Sequence, residues 1–261
     1  MKLGGFGLIE HYEAINAAGY DYAELDMPEI EALSNEDFAQ FKDKTVSVGL
    51  PILTGARILP IVTPTFFIDG FKPAVLAPYL RRSCKRAAEL GIKKVILGNG
   101  KARYLPTPDS IKNESAFIKL LCIMSKIAGD NGQEMILEPL GPKYSNYINT
   151  IEEAVNIIDK TNMSNLFVMA DLRHMIWSKE SLEDLSTYAK YIHHIHVDYP
   201  LSFPERGYPC SADGYDYGKF VNELIKSGYN DTLTIEADFP KDWKTAHNGA
   251  TEVLKELFKK Q

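Results

Sequence analysis

Short apolar runs alternate along the chain with longer stretches in which apolar residues recur at helical spacing. We predict a strand at each short run, and the connections are long enough to make neighbouring strands parallel. The eight predicted strands are Lys2–Gly7, Tyr22–Asp26, Val46–Leu50, Lys94–Gly98, Met135–Glu138, Leu166–Asp171, Ile192–Asp198 and Thr232–Glu236. The clearest helical stretches are Ala77–Leu90, Thr150–Lys160 and Gly218–Ser227.

This repeating unit predicts an α/β fold, a (β/α)8 TIM barrel, in a single domain that spans residues 1–261. Dividing the 261 residues among eight units leaves about 33 residues for each, close to the ~30 that a strand–helix–strand step requires. The strand count alone is compatible with an open doubly wound sheet, but a closed barrel follows more naturally. Residues 51–76 form the one long irregular segment, which we expect to lie over the barrel mouth.

The composition is that of an ordinary globular protein, with 45% hydrophobic and 25% charged residues. A net charge of -6 argues against a nucleic-acid or anionic membrane partner. Cys84, Cys122 and Cys210 are odd in number and widely spaced, which favours a reducing compartment over a disulfide framework. The first residues lack the apolar core of a signal peptide, and no stretch approaches the ~20 apolar residues of a membrane span. We therefore expect a cytoplasmic protein.

Four of the later predicted strands end in a side chain that can bind a metal ion. These side chains are Glu138, Asp171, His196 and Glu236. Singly, each is more often a helix cap, a solvated loop residue or a hydrogen-bonded barrel histidine. In a barrel, however, the carboxyl ends of the strands meet on one face, and buried carboxylates need a shared counter-charge. We predict one divalent ion here, with Mn²⁺ favoured and Mg²⁺, Co²⁺ or Zn²⁺ as alternatives.

Seven segments carry a resemblance to a known family, and they are ILPIVTP, LGNGKARYLP, LEPLGPKYSNYINTIEEAVNIID, MADLRHM, HIHVDYP, ERGYP and GYNDTLTIEAD. Together they resemble the sugar phosphate isomerase/epimerase family of xylose isomerase-like TIM barrels, within the AP endonuclease family 2 superfamily. This group includes the ketose 3-epimerases and is related to endonuclease IV. The resemblance implies the same four metal ligands, substrate contacts from His174 and Arg206, and proton transfer by Glu138 and Glu236.

The activity that the resemblance implies is metal-dependent isomerisation or epimerisation of a sugar or a sugar phosphate. A metal that binds a carbonyl and its neighbouring hydroxyl acidifies the carbon between them and stabilises the resulting ene-diolate. Glutamates on opposite sides of that carbon can serve as base and acid. The expected partner is a small carbohydrate, and a homo-oligomer is left open.

One loop departs from the family pattern. Ketose 3-epimerases resemble one another in an NRxE stretch just after the fifth-strand glutamate, whereas residues 141–144 of this chain read GPKY. Tyr144 thus replaces an acid that contacts substrate. We expect Tyr144 and Arg206 to line the substrate pocket, and the identity of the sugar stays open.

Two further acids, Asp198 and Asp238, stand two residues beyond His196 and Glu236. On a continuing strand they share the face of the predicted ligands. Support of the ligands and a partial second metal site are alternatives, but we favour solvated loop positions for both.

Other functions remain open on the same barrel. A dehydratase or lyase of an inosose-like ketone begins with the same proton abstraction and then expels a hydroxyl. An endonuclease IV-like hydrolase needs a histidine-rich multi-zinc site, but only His174 and His196 of the six histidines stand where that pattern requires them. A non-catalytic sugar-binding barrel would not need the complete set of acids. The isomerase or epimerase is therefore the preferred hypothesis.

Overall fold

The computed structural model describes residues 1–259, in which eight strands alternate with helices. The strands are β1 Lys2–Gly7, β2 Tyr22–Asp26, β3 Ile52–Ala56, β4 Lys94–Leu97, β5 Glu134–Leu137, β6 Leu166–Asp171, β7 Ile192–Val197 and β8 Thr232–Ile235. The α-helices are α1 Tyr12–Ala18, α2 Met27–Ala32, α3 Asn35–Val48, α4 Ala77–Glu89, α5 Gly100–Arg103, α6 Glu114–Asp130, α7 Ile151–Asp159, α8 Leu172–Ser178, α9 Asp184–Thr187, α10 Tyr217–Ser227 and α11 Trp243–Leu254. Among residues 1–259, no helix is both long and apolar enough to cross a membrane.

The strands pair in sequence order, and every pair is parallel. β8 closes the ring onto β1, with Lys2 opposite Thr232 and Gly5 opposite Ile235. The predicted (β/α)8 barrel is therefore confirmed, and the open doubly wound sheet is excluded. The last residues of the predicted domain, 260–261, lie outside the described residues.

The predicted third strand, Val46–Leu50, is wrong. Val46 and Val48 belong to the last turn of α3, and the side chain of Val46 is 80% exposed. The helix ends at Gly49, whose φ of 78° lies in the left-handed region and whose N–H donates to the carbonyl of Thr45. Two closely spaced valines before a glycine suit a helix end as well as a strand, so their spacing alone did not distinguish the two. The true strand begins just after Pro51, inside the segment expected to be irregular.

The rest of that segment, residues 57–72, packs beside the barrel mouth. The N–H of Phe66 donates to the carbonyl of Ala102 at 2.8 Å, which ties the loop to α5. Phe66 and Phe67 are buried, and their ring centroids lie 6.0 and 5.6 Å from that of Phe117 in α6. The loop is therefore anchored by aromatic packing rather than by regular secondary structure.

Side chains alternate between the two faces of each strand, as a β-strand requires. In β6, Val168 and Ala170 point outward and join the core beneath the helices, whereas Met169 points inward. There it packs against Ile96 of β4 and Ile136 of β5, which form a separate apolar cluster inside the barrel. On each of these strands, the side chain two residues after the inner cluster therefore points to the inner face at the barrel mouth.

Phe117 provides a test of how the loop is held. Replacing it with alanine should lower the free energy of unfolding by about 3–5 kcal/mol, because a buried ring is lost and a cavity remains. Urea unfolding measures this change. Tyr104→Ala is the matched control, since its side chain is 48% exposed and its loss should change stability by about 0.5 kcal/mol or less. An unchanged urea midpoint for Phe117→Ala would contradict the packing described above.

Candidate metal and substrate site

The four predicted metal ligands meet at the carboxyl-terminal mouth of the barrel. One ligand atom from each of Glu138, Asp171, His196 and Glu236 lies within 4.8 Å of the others. Nδ1 of His196 is 3.1 Å from Oε2 of Glu236, 3.7 Å from Oε1 of Glu138 and 3.9 Å from Oδ2 of Asp171. Atoms that bind one ion at about 2.1 Å lie about 3–4 Å from one another. The spacing therefore fits a single ion shared by four side chains.

Glu138 is positioned by the segment that follows β4. Its Oε2 lies directly over Gly98, where a Cβ atom would approach this oxygen to 1.9 Å. Arg103 of α5 is fully buried and donates from Nη2 to the backbone oxygen of Glu138 at 2.7 Å. Burial lowers the pKa of Arg103 to about 10, which leaves it charged at neutral pH. Gly98 and the buried Arg103 thus fix the position of the Glu138 carboxylate and of the backbone that carries it.

Asp171 is both a helix cap and a member of the cluster. Its Oδ1 accepts from the backbone N–H of His174 at 3.1 Å and caps α8, while its Oδ2 faces the other ligands. Burial by itself would raise the pKa of Asp171, but electrostatic interactions with the side chains of His174, Arg206 and His196 hold it below its ordinary value. The two roles considered for this residue therefore coexist, one on each oxygen.

His196 is held from behind by Glu24, which the sequence analysis did not identify. Nε2 of His196 donates to Oε1 of Glu24 at 2.8 Å, since a carboxylate only accepts. The other oxygen of Glu24 accepts from Thr54, His194 and Thr234 at 2.7, 2.9 and 2.9 Å. This leaves Nδ1 of His196 buried and without a hydrogen-bond partner among residues 1–259. A histidine whose outer nitrogen binds a carboxylate and whose inner nitrogen is free matches a metal ligand.

Glu24 and His196 shift each other's pKa strongly, although both side chains are fully buried. Burial disfavours the charged form of each group, yet Glu24 and Glu236 raise the pKa of His196 well above its ordinary value. In turn, His196 and His194 hold the pKa of Glu24 well below its usual range. The signal in the sequence was the first acid of YAELD, Glu24, which alternates with Ala23 and Leu25 of the outward, apolar face.

Arg206 was expected to contact substrate, and it lies at the mouth in contact with three carboxylates. Its Nη1 forms an ion pair with Oε2 of Glu236 at 2.6 Å, while Nη2 donates to Asp171 and Nε donates to Asp198, both at 2.8 Å. Burial would lower its pKa, but these carboxylates raise it well above its ordinary value. Arg206 also lines a cavity that opens above the cluster. Its guanidinium group therefore lies between the predicted metal ligands and the space that a substrate would occupy.

The expectation of a solvated Asp198 is wrong. Its side chain is fully buried, and its Oδ2 accepts from Arg173 at 2.6 Å and from Arg206 at 2.8 Å. Asp238 is exposed as expected, and its Oδ2 accepts from the backbone N–H of Arg206 at 2.8 Å. Within residues 1–259 neither acid belongs to a second group of metal-competent side chains. Asp198 instead supports the ligands through the two arginines.

Arg173, which the sequence analysis passed over although it lies in DLRH, fixes the loop that carries Arg206. Its Nη2 donates to the carbonyl of Tyr199 and to Oγ of Ser202, both at 2.9 Å, and Nη1 donates to the carbonyl of Ser202. The N–H of Tyr199 donates to the carbonyl of Gly207 at 2.8 Å and closes the loop. The buried guanidinium group of Arg173 thus binds both Asp198 and the backbone of the loop that carries Arg206.

The charges of the cluster fit a divalent cation. Its four carboxylates, Glu138, Asp171, Asp198 and Glu236, are accompanied by the two guanidinium groups of Arg173 and Arg206. A His196 side chain that binds an ion through Nδ1 is neutral, so it does not offset the charge of Glu24. The carboxylates outnumber the two guanidinium groups even when Asp198, whose pKa burial raises to about 7, is protonated. This excess of negative charge suits a divalent cation.

A cavity of about 280 Å³ opens above this cluster. The predicted catalytic and substrate residues that line it are Glu138, Tyr144, His174, Arg206 and Glu236. A second cavity of about 320 Å³ shares Arg57 and Glu236 with the first and is otherwise bordered by the ends of β1 and β8. The structure thus brings every predicted site residue to one place, with Asp171 and His196 buried beneath the cavity.

Tyr144, which lines the first cavity, packs against a further aromatic side chain outside it. The Tyr144 ring stacks on Trp177 at 5.6 Å with an interplanar angle of 10°, and it meets the edge of His174 at 5.0 Å. Nζ of Lys143 lies 4.1 Å from the ring centroids of both Trp177 and Phe203. Where the resemblance leads one to expect an acid, this chain therefore presents a ring face and an ammonium group.

The fold and site together define an α/β barrel with a metal-competent cluster at the carboxyl ends of its strands. The family description "Xylose isomerase-like TIM barrel" matches residues 12–257, so the chain belongs to that family. Over 184 residues it is 26% identical to an inosose isomerase from Bacillus subtilis (strain 168). That match covers 67% of this chain and 64% of the relative.

Solved structures of low identity share the fold. A D-allulose 3-epimerase from Methylomonas sp. in complex with D-allulose superposes with a TM-score of 0.80 at 18% identity, over 100% of this chain and 97% of that chain. The zinc-bound IOLI protein gives a TM-score of 0.78 at 20% identity, with 100% of both chains covered. A 3-keto-D-glucoside 4-epimerase, YcjR, from E. coli gives 0.77 at 19% identity, over 98% of this chain and 99% of that chain.

Glu24→Gln tests whether Glu24 positions His196. The amide keeps the size of the side chain but removes the negative charge that orients the imidazole, so divalent-metal affinity should fall about 10–100-fold. Titration of the protein with Mn²⁺ or Zn²⁺ measures the change, and circular dichroism checks the fold.

The matched control is Glu134→Gln, because Glu134 also contacts an imidazole, that of His193 at 3.1 Å, but at the opposite end of the barrel. We expect this control to bind metal like the unmodified protein. Equal affinity in the Glu24→Gln variant would show that Glu24 has no part in holding the ligand.

Proposed function

We propose that this protein is a divalent-metal-dependent isomerase or epimerase of a sugar or sugar phosphate. The observation that carries the proposal is the cluster beneath the cavity, where a free imidazole nitrogen faces three carboxylates. The inosose isomerase and the ketose epimerases to which the chain is similar act on polyhydroxylated ketones, which is consistent with this assignment.

The ion would be held by Glu138, Asp171, Nδ1 of His196 and Glu236. We propose Mn²⁺, because three of the four donors are carboxylate oxygens, with Mg²⁺, Co²⁺ and Zn²⁺ as alternatives. When bound, such an ion acts as a Lewis acid that polarises the substrate carbonyl and stabilises the negative charge of an ene-diolate.

Two glutamates are available to move the proton. Glu138 directs Oε1 into the cluster and Oε2 over Gly98, beside the cavity. Glu236 contacts His196 and Arg206 through Oε2. Among residues 1–259, neither Oε2 of Glu138 nor Oε1 of Glu236 takes part in a hydrogen bond or ion pair. One glutamate would remove the proton next to the carbonyl, and the other would return a proton to the opposite face, which inverts the carbon.

The remaining predicted residues would orient the substrate. Burial lowers the pKa of His174, despite the nearby charges of Asp171 and Glu138, so its neutral imidazole would donate one hydrogen bond to a substrate oxygen. Arg206 would donate to a hydroxyl or phosphate oxygen. The ring of Tyr144 would pack against the apolar face of the sugar. We further propose that the protein acts in the cytoplasm on a small carbohydrate without a nucleic-acid partner, with homo-oligomerisation left open.

The metal assignment predicts about one divalent ion per purified chain. Removing a ligand should remove the ion, because three donors remain and the carboxylates lose their common partner. His196→Ala and Asp171→Ala should therefore lose the ion while they keep the barrel, as measured by elemental analysis and circular dichroism. Asp238→Ala is the control, since this exposed acid lies outside the cluster. Full metal occupancy in a variant with all four ligands replaced by alanine would contradict the assignment of these residues as ligands.

The proton-transfer roles predict that Glu138→Gln and Glu236→Gln lose turnover by about 10²–10⁴-fold, with a smaller effect on substrate binding. An amide cannot accept the proton, although it preserves the shape of the side chain. A screen of ketoses, inososes and their phosphates in D₂O, with Mn²⁺ present, should first identify a substrate whose carbon-bound hydrogen exchanges with solvent. The two variants are then compared on that substrate.

The outcomes of this screen separate the reaction classes. Exchange with return of an epimer or isomer supports the proposal, whereas an absorbing enone or diketone product would indicate a dehydratase. Turnover without any deuterium in the product would exclude the paired glutamates as the proton carriers.

A further inference from the structure

Apart from the metal ligands Glu138 and Glu236, the Asp, Glu, Lys and Arg side chains that line the first cavity are all basic. They are Arg57, Lys101, Lys143 and Arg206, of which Arg206 is paired with carboxylates of the cluster. The whole chain carries a net charge of -6, so a local excess of basic side chains does not follow from the composition. Counted in the same way, the second cavity shows no such excess, since Arg57 is accompanied there by Asp238.

Arg57 is neutralised from behind the cavity wall. Its Nε donates to Oδ1 of Asp26 at 2.8 Å, and Asp26 does not line the cavity. Lys101 and Lys143 differ from Arg57 in this respect. Within residues 1–259, neither of these two lysines forms an ion pair with a carboxylate. The excess positive charge of this cavity therefore resides on two lysines.

Backbone contact brings the two lysines together from different loops. A Cβ atom at Gly100 would lie 2.5 Å from the carbonyl oxygen of Tyr144, so the loop after β4 and the loop after β5 touch at these neighbouring residues. Lys143 is further fixed by the rings of Trp177 and Phe203, each 4.1 Å from its ammonium nitrogen. An ammonium group held in this way retains its hydrogen-bond donors and has lost part of its rotational freedom before a ligand arrives.

The first cavity is also lined by a residue with a buried, unpaired acceptor. Asn99 is 7% exposed and lines the same cavity. Its amide nitrogen donates to the carbonyl of Leu59 at 2.8 Å, which leaves Oδ1 buried without a hydrogen-bond partner among residues 1–259. A substrate hydroxyl in the middle of the cavity would satisfy this oxygen.

We propose that the substrate carries an anionic group, a phosphate ester or a carboxylate, at the end remote from the reacting carbons, and that Lys101 and Lys143 bind it. The reacting carbonyl and hydroxyl lie over the cluster, a central hydroxyl donates to Oδ1 of Asn99, and the anion lies between the two ammonium groups. This inference rests on the proposed function for the position of the reacting carbons, whereas the anion subsite itself rests on the cavity.

The test uses the full-length, metal-loaded protein and matched compounds. The D-ketohexoses, their 6-phosphates and their 6-carboxylates are titrated calorimetrically and are also assayed for hydrogen exchange in D₂O. The variant is Lys101→Met/Lys143→Met, which keeps the length of both stems and the packing of residue 143 against its two rings. The control is Lys219→Met, because Lys219 is an exposed lysine of α10 outside the cavity.

We expect at least one anionic compound to bind about tenfold or more tightly than its neutral counterpart, with an affinity that falls as salt is added. The double variant should lose this preference, whereas Lys219→Met should keep it and metal content should not change. The tighter-binding anion, phosphate or carboxylate, identifies the natural group. Equal binding of neutral and anionic compounds, or a preference for anions that survives in the double variant, would overturn the subsite.

The two proposals fail separately. Hydrogen exchange on the ketoses, combined with equal binding of neutral and anionic compounds, would overturn the anion subsite and leave the isomerase assignment intact. Anion binding that depends on the lysines, without exchange on any compound, would support the subsite and overturn the isomerase assignment.

Discussion

Buried carboxylates that share a site repel one another, and this barrel collects Glu138, Asp171, Asp198 and Glu236 at one end. Much of the surrounding structure balances that charge. Arg206 contacts three of the four acids. The negative charge that remains after both arginines are counted would favour a divalent ion. Charge balance thus accounts for the arginines, the histidine and the metal-competent geometry together.

The interior of the barrel is divided between two kinds of packing. Ile96, Ile136 and Met169 form an apolar cluster inside strands β4 to β6. On the other side, Glu24 is surrounded by hydroxyl and imidazole donors from β3, β7 and β8. A buried carboxylate with four hydrogen bonds has few alternative arrangements, so this half of the interior fixes the orientation of His196. The apolar half lets the neighbouring strands approach closely beneath the other ligands.

The loops at the mouth shape the cavity above this cluster. Arg103 and Gly98 determine how Glu138 enters the cavity, while Arg173 holds the loop that carries Arg206. Tyr144 stands where the resemblance to the ketose 3-epimerases leads one to expect an acid. Since the ligand cluster lies beneath the cavity and the loops lie around it, the metal-competent site and the cavity wall are formed by different parts of the chain.

The sequence by itself determined the barrel and brought out the proposed ligand set. Alternation of short apolar runs with helical stretches reports the βα repeat, and parallel strands in a closed ring bring their carboxyl ends together whatever their separation along the chain. Glu138, Asp171, His196 and Glu236 could therefore be chosen from their places at strand ends. The third strand was misplaced, because VSVGL suits the end of α3 as well as a strand, and only packing against β2 and β4 distinguishes the two.

Only the tertiary structure decided how each ligand is held. Glu24 contacts His196 across 172 residues of sequence, and Asp198 changes from a supposed loop residue to a buried one because two arginines enclose it. The cationic end of the cavity likewise arises where two loops touch at Gly100 and Tyr144. Such contacts depend on distances between elements rather than on local pattern, since hydrogen bonds and ion pairs act over a few ångströms in space and have no characteristic spacing along the chain.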